Sequence, residues 1–410
     1  MDLAKVFAPR TFVALALGVL LAVLAFSQAA ASIGLPLAPF RPLGPGFFTM
    51  RGIEANTAKG LVGPGPAASP SRVAAIGRQA LAYDPMDTLA LWLVGQSLDH
   101  RKQPAAALAA MTQAERISRR DAAVQLWLGL DDLKKRQIAP ALHHFDLMIR
   151  TNTDAANLVT PVLAKVIVSP QGRQQMAPYF TASNPWFVPL LWASASSLPT
   201  ASPLAQLLVE KAGPAPDAEG ARAIYAYLLK RLLAEKSYDL ALRLYPKLPG
   251  ADRAALGTLN PATRGKVNNG YQPFVWGFSD SGSQGGDIVV VDGGNSALEL
   301  YGAPGTVGTA ASKLIVPGAN RTFRWRIVQR TSNPEASATW VATCLLGPSA
   351  GAKVESANLL ADSVPLGKPL AVSISANCNL MRFDLNVAGG IGRDPADLIV
   401  VPEGLGGAAG

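Results

Sequence analysis

Three groups of side chains in this 410-residue sequence have the types and spacing to do chemistry: two cysteines, three histidines, and a set of aromatic and charged residues toward the C-terminus. Cys344 and Cys378 are the only cysteines and stand 34 positions apart, on strands expected to lie close in space. In an exported chain an even cysteine count favours a disulfide, with two free buried thiols as the alternative. Closing a loop of that length contributes about 3 to 4 kcal/mol in the chain-entropy model. The histidines are His100, His143 and His144, all in the first half. Neighbours on a helix point roughly 100° apart, so His143 and His144 are poorly placed to share a metal. None has the serine and carboxylate neighbours of a general base. The C-terminal third has neither histidine nor a CxxC pair, so no zinc site is expected there.

The third group is richer. Trp276, Tyr301, Trp325 and Trp340 accompany Arg324, Arg326, Arg382, Asp384 and Asn386. Sugar sites place an aromatic face against the C–H surface of the ring and fixed polar groups against its hydroxyls. Strand alternation sorts these residues. Phe323, Trp325 and Ile327 share one face, with Arg324 and Arg326 on the other. Met381, Phe383 and Leu385 oppose Arg382, Asp384 and Asn386. Trp340 shares its face with Cys344, so Trp325 and Trp340 are expected in the core. The candidates for a glycan site are Arg324, Arg326, Arg382, Asp384, Asn386, Tyr301 and Trp276. If the two polar faces adjoin, they form a concave surface. Asp287, Asp292, Glu299 and Asp384 lie on or beside strands, but no motif pairs them for glycoside hydrolysis. A phosphate-binding loop is absent. No catalytic residue, metal or cofactor is assigned.

The elements that must position these groups follow in chain order. Residues 1–32 hold Lys5 and Arg10, then an uncharged apolar run from Thr11 to Ala31. That run has about the length of a membrane-spanning helix, and a signal peptide cleaved near Ala29-Ala30-Ala31 is the competing reading. Either places the remainder outside the cytoplasm. Residues 33–70 are a Pro/Gly-rich spacer with a short helix expected around Gly52 to Gly60. Residues 71–250 read as helix pairs. Gly95 and Gly129, like Ala107 and Ala141, are spaced at the 34-residue period of the tetratricopeptide repeat. Tyr225 and Tyr227 read as packing residues, with a peptide groove as the alternative. Residues 251–270 form a linker, residues 271–403 an antiparallel β-sandwich of eight or nine short strands, and residues 404–410 a tail. Charge follows this division. Residues from 271 onward hold nine Lys/Arg and eleven Asp/Glu, so of the chain's net +9 the upstream part carries +11 and this part −2. A basic upstream part suits a solvated surface or an anionic partner; no dense Lys/Arg run points to nucleic acid.

Asn269-Gly270 with Pro273-Phe274-Val275-Trp276, then Val316-Pro317-Gly318, Phe323-Arg324-Trp325, Trp340 to Cys344 and Asn377-Cys378, resemble the successive strands of a carbohydrate-binding-module-like jelly roll. The whole chain resembles bacterial envelope proteins that join a membrane anchor, tetratricopeptide-like repeats and such a module. It departs from them at the short Asn269-Gly270-Tyr271 start. The resemblance implies a single-pass inner-membrane protein with its bulk in the periplasm, acting in exopolysaccharide assembly or export. Its repeats would recruit an envelope protein and its sandwich would bind polysaccharide. A polysaccharide-active enzyme and a purely structural adaptor are the alternatives.

Overall fold

Small residues recurring opposite large ones, at a fixed interval, set the architecture of the first part of the chain. The computed structural model describes residues 69–261 and 270–405, apart from 280, 292–293, 319–321, 374–376 and 392–393, together with Glu54, Thr57, Ala58 and Leu61. The chain divides into two compact units, Met1–Val159 and Thr160–Gly410. The apolar run from Thr11 to Ala31 and most of the spacer lie outside the described residues. Among the described residues no helix is long and apolar enough to cross a membrane. Glu54, Thr57, Ala58 and Leu61 are helical, in keeping with the expected short helix.

In the first unit, α1 (Pro70–Tyr83), α2 (Thr88–His100), α3 (Pro104–Ile117), α4 (Ala122–Lys134) and α5 (Ile138–Thr151) form antiparallel hairpins, and α6 (Ala156–Val166) runs across the division. Pro70, Pro104 and Ile138 begin equivalent helices 34 residues apart, the interval already visible between Gly95 and Gly129. The caps recur with the helices. Asp87 accepts from the N–H groups of Leu89 and Ala90, and Asp121 accepts from those of Ala123 and Val124. Each carboxylate satisfies donors that the first turn leaves without an intrahelical partner.

The second unit joins shorter helices to the sandwich. Its helices are α7 (Pro170–Met176), α8 (Phe187–Ser197), α9 (Ser202–Glu210), α10 (Ala221–Ala234) and α11 (Tyr238–Leu244). Prolines set the shorter lengths: Pro170 and Pro203 occupy the first turns of α7 and α9, where a missing N–H costs nothing. The expected 71–250 helical domain is thus divided, its later part sharing a unit with the β-strands.

Among the described residues ten strands form two five-stranded antiparallel sheets. One sheet contains β1 (Gly277–Phe278), β4 (Val307–Ile315), β9 (Leu380–Ala388), β6 (Ser337–Leu346) and β7 (Lys353–Glu355), in the order β1-β4-β9-β6-β7. The other has the order β2-β3-β10-β5-β8, from β2 (Gln284–Val290), β3 (Ser296–Gly302), β10 (Ala396–Leu405), β5 (Thr322–Arg330) and β8 (Pro369–Ser373). Alternating side chains of both sheets fill one core with Trp276, Phe323, Trp325, Trp340 and Phe383 at its centre. Cys344 and Cys378 form the expected disulfide, with Cα atoms 5.7 Å apart.

Residues 251–270, read from sequence as a linker, are tied into the sandwich where they are described. Leu259 is buried in its core. Its carbonyl accepts from Trp276 Nε1 at 2.9 Å, and the Leu256 carbonyl accepts from the Val316 N–H at 2.7 Å. The tail assignment also changes: β10 reaches Leu405, so residues 404 and 405 belong to a strand that lies between β3 and β5.

Candidate functional site

The polar faces of β5 and β9 do not adjoin, because the two strands belong to different sheets and their polar side chains leave the sandwich on opposite sides. Arg324 is exposed and Arg326 half-buried, its Nε 3.3 Å from Glu403 Oε1. Tyr301 is exposed on β3, in the same sheet, with β10 between it and the arginines. Trp276, a candidate for sugar stacking, is only 1% exposed. Its indole N–H is committed to Leu259 and its ring lies among Trp340 and the rest of the core. An apolar ring beside a backbone acceptor is stabilised by burial once that acceptor satisfies its single donor, so Trp276 is a core residue and not a sugar platform.

Arg382, Asp384 and Asn386 do come together, as the outer row of β9. Strand pairing sets them among Thr309, Ser312 and Leu314 of β4 and Thr339, Val341 and Thr343 of β6. The Nε–H of Arg382 donates to Asp384 Oδ1 at 2.7 Å. Asn386 Oδ1 accepts from Thr309 Oγ1 at 2.8 Å. Asp384 is 8% exposed, while the Arg382 side chain reaches well into solvent. The buried carboxylate therefore orients the guanidinium. Among the described residues its two terminal nitrogens make no hydrogen bond.

This face is not open along its whole width. Side chains of α10 and α11 and the Gln272-Pro273 loop stand over the β4 side of it and leave a groove. One cavity of about 300 Å³ is lined by Leu233, Ala234, Tyr238, Pro273, Ser312 and Arg382, among others. It shares Pro273, Ser312 and Arg382 with a second, of about 270 Å³, that reaches Ser279 and Thr309. It shares Leu233 and Pro273 with a third, of about 430 Å³, that reaches Tyr227 and Lys230. The loop is fixed on the sheet edge by the Leu314 N–H, which donates to the Pro273 carbonyl at 2.7 Å.

At the Tyr227 end stands an aromatic pair: sequence reasoning missed Trp192 and read Tyr227 as packing, with a groove as the alternative. Trp192 on α8 and Tyr227 on α10 have ring centroids 5.7 Å apart and remain 52% and 38% exposed. Helical periodicity places them outward. In α8, Phe187, Leu190, Leu191, Ser194 and Ala195 turn inward. In α10, Ile224, Tyr225, Leu228, Leu229 and Leu232 do so, leaving Tyr227 and Lys230 on one outer stripe. Tyr225 is a packing residue, its hydroxyl donating to the Pro216 carbonyl at 2.9 Å. Arg231 holds the two helices in register by donating to the Ala195 carbonyl in the last turn of α8 and to the Leu198 and Pro199 carbonyls just beyond it.

Lys313 also touches the groove, but alternation with Ala311 and Ile315 turns its side chain to the inner side of the sheet. There its ammonium lies 6.0 Å from the centre of the Trp276 ring. Burial pulls its pKa down to about 8, against a weaker upward pull from Asp252. In the first unit, His144 is the one histidine with a built environment: Gln125 Oε1 lies 2.6 Å from its Nδ1, and Glu115 and Asp132 each approach to 3.5 Å. Burial lowers its pKa, opposed by the two carboxylates. Among the described residues no group of three or more His, Cys, Asp or Glu side chains is arranged to hold a metal ion.

The first unit carries a cavity of a different character, of about 450 Å³, lined by Leu61, Trp92, Leu126, Trp127, Leu130 and Leu158, with His100 and Asp154 on its wall. No known family model matches the chain, and comparison with curated proteins finds no match.

Proposed function

We propose that this protein is a non-enzymatic scaffold of the bacterial envelope that binds a polysaccharide chain in the groove of its second unit and a protein partner through its helical hairpins. The observation that carries the glycan reading is the groove itself. Exposed Tyr227, in ring contact with Trp192, lies at one end, and the oriented Arg382 with Thr309 and Ser312 lies toward the other. Aromatic faces stack on sugar rings, and fixed polar groups meet hydroxyls. Three cavities in series suit a linear polymer better than one small molecule. Among the described lining residues the charged groups are Lys230, Lys313 and Arg382, whereas glycoside hydrolysis uses two flanking carboxylates.

The strand orders β3-β10-β5-β8 and β4-β9-β6-β7 favour reading the sandwich as a jelly roll, extended at one edge of each sheet by β2 and β1. The 34-residue recurrence of helices, caps and glycines favours the tetratricopeptide-like reading. A disulfide suits an oxidising compartment such as the periplasm. Residues 1–32 would anchor the chain in the inner membrane, or be cleaved to release it. An exopolysaccharide assembly or export system is the setting that this combination suits best.

The test uses the full chain on a glycan array, with a Trp192→Ala/Tyr227→Ala double variant beside it. Saturable binding to at least one glycan by the parent, lost in the double variant, is the expected result. A blank array for the parent removes the sugar reading. The structural-adaptor reading is favoured separately by the apolar cavity with Trp92 and Trp127. Crosslinks to a membrane-associated protein that map to that cavity, and none to the groove, would put it first.

A further inference from the structure

Charge decides what kind of polymer the groove takes. Two cations on different elements face it: Lys230, exposed on the α10 stripe beside Tyr227, and Arg382, standing out from β9. Among the described lining residues there is no carboxylate, and the acid that pairs with Arg382 lies beneath it on the sheet. The nearby acid on the sheet, Asp384, is already engaged by Arg382 Nε at 2.7 Å and is itself buried. That pairing leaves both terminal nitrogens of the guanidinium, the part that binds a carboxylate or sulfate in a two-pronged manner, directed away from their anchor. A guanidinium anchored by a buried acid has lost much of its rotamer freedom before any ligand arrives, which lowers the entropic cost of binding.

We propose that the ligand is an acidic polysaccharide, with an anionic substituent on Arg382 and a neighbouring sugar ring on the Trp192–Tyr227 face beside Lys230. This rests on the glycan reading above and adds the chemical class. A neutral chain would bury the outer edge of the guanidinium against hydroxyls alone, whereas a carboxylate or sulfate would supply charge-assisted partners. The Lys/Arg excess of residues 160–270, in the same unit, acts in the same direction at longer range. On this reading Lys230 steers the chain and Arg382 fixes its register.

The experiment is calorimetric titration of the full chain with three probes of matched length: oligogalacturonate, the same oligomer with its carboxyls reduced to alcohols, and a sulfated neutral oligosaccharide. Either acidic probe should bind more tightly than the reduced one, with an affinity that falls as salt is raised. Whichever acidic probe binds identifies the anion as carboxylate or sulfate. Arg382→Gln should weaken that binding by about tenfold or more and Arg382→Lys by less, in each case a larger loss than the same variant causes with the reduced oligomer. Arg324→Gln, on the opposite sheet, should leave all three titrations unchanged. Equal binding of the reduced and acidic forms, indifferent to Arg382→Gln, overturns the acidic class and leaves the glycan reading standing. No binding of any probe by a folded parent overturns both.

Discussion

At the scale of single residues, Lys313 is a costly group for the second unit to bury. It is 2% exposed, and no hydrogen bond or ion pair engages it among the described residues. Its ammonium has the Trp276 ring for company and the more distant attraction of Asp252. Burial brings its pKa from 10.5 to about 8. The sign follows from linkage: the unfolded chain holds this proton up to a higher pH than the folded one, so stability rises with pH between about 8 and 10.5. Below 8 the penalty is fully present, on the order of 3 kcal/mol. Lys313→Met keeps the length of the side chain and removes the charge. Urea unfolding at pH 7 should show the variant more stable by an amount of that order, with the difference shrinking as the pH approaches 10. A variant no more stable than the parent at pH 7 would mean that water or the Trp276 face solvates the ammonium far better than its burial implies.

At the scale of elements, the helical hairpins depend on close approach. A methyl group added at Gly129 in α4 would stand 2.7 Å from the Phe145 ring in α5, and one added at Gly95 would stand 2.7 Å from Met111. Phe145 is fully buried and its rigid ring cannot step aside as a methionine can. Gly129→Ala gains about 1 kcal/mol of helix propensity and meets an overpacking cost of about 1 to 3 kcal/mol. The clash should win, lowering the thermal midpoint, and a Gly129→Ala/Phe145→Leu pair should recover part of the loss. Gly95→Ala should be milder. The same spacing made these helices legible in the sequence, since small-against-large contacts repeat at a fixed interval. Strands β5, β6 and β9 were legible for a comparable reason: one buried face imposes strict alternation. β10 was not, because Pro402 argues against a strand flanked on both sides, and the chain accommodates it with a pairing irregularity between Pro402 and Gly404. β1 and β7, of two and three residues, are too short to show a period. Of the candidate site, alternation found Arg382, Asp384 and Asn386 but had no means of assigning β5 and β9 to different sheets. Trp192 carried a usable signal, an aromatic on the polar side of an apolar helix, obscured by the prolines at 185 and 189.

At the scale of the whole chain, the boundary between helices and strands is not a boundary of folding. The division falls at residue 159, and the helices after it share a unit with the sandwich. The ring of Tyr245 packs on Phe274 with centroids 4.5 Å apart, and the Tyr271 hydroxyl donates to the Pro249 carbonyl at 2.7 Å. Leu259 fills the sandwich core from outside the 271–403 segment that sequence marks as a domain. A fragment beginning at residue 271 loses Leu259, worth about 1.5 to 3 kcal/mol of apolar burial. It also leaves the buried Trp276 N–H without an acceptor, at a further cost of about 1 to 3 kcal/mol. It uncovers Leu314 as well, and it removes the α10 wall of the groove. A fragment spanning 160–405 retains all of these. The longer fragment should unfold in one cooperative transition, with helical and near-ultraviolet aromatic signals coincident. The shorter should melt at a markedly lower temperature, expose hydrophobic surface to a reporter dye, and bind no glycan that the longer one binds. If the 271–403 segment matched the longer fragment in midpoint and in glycan affinity, the α10 wall and the Trp192–Tyr227 face would be irrelevant to the site, and the ligand would have to sit on the sheet alone.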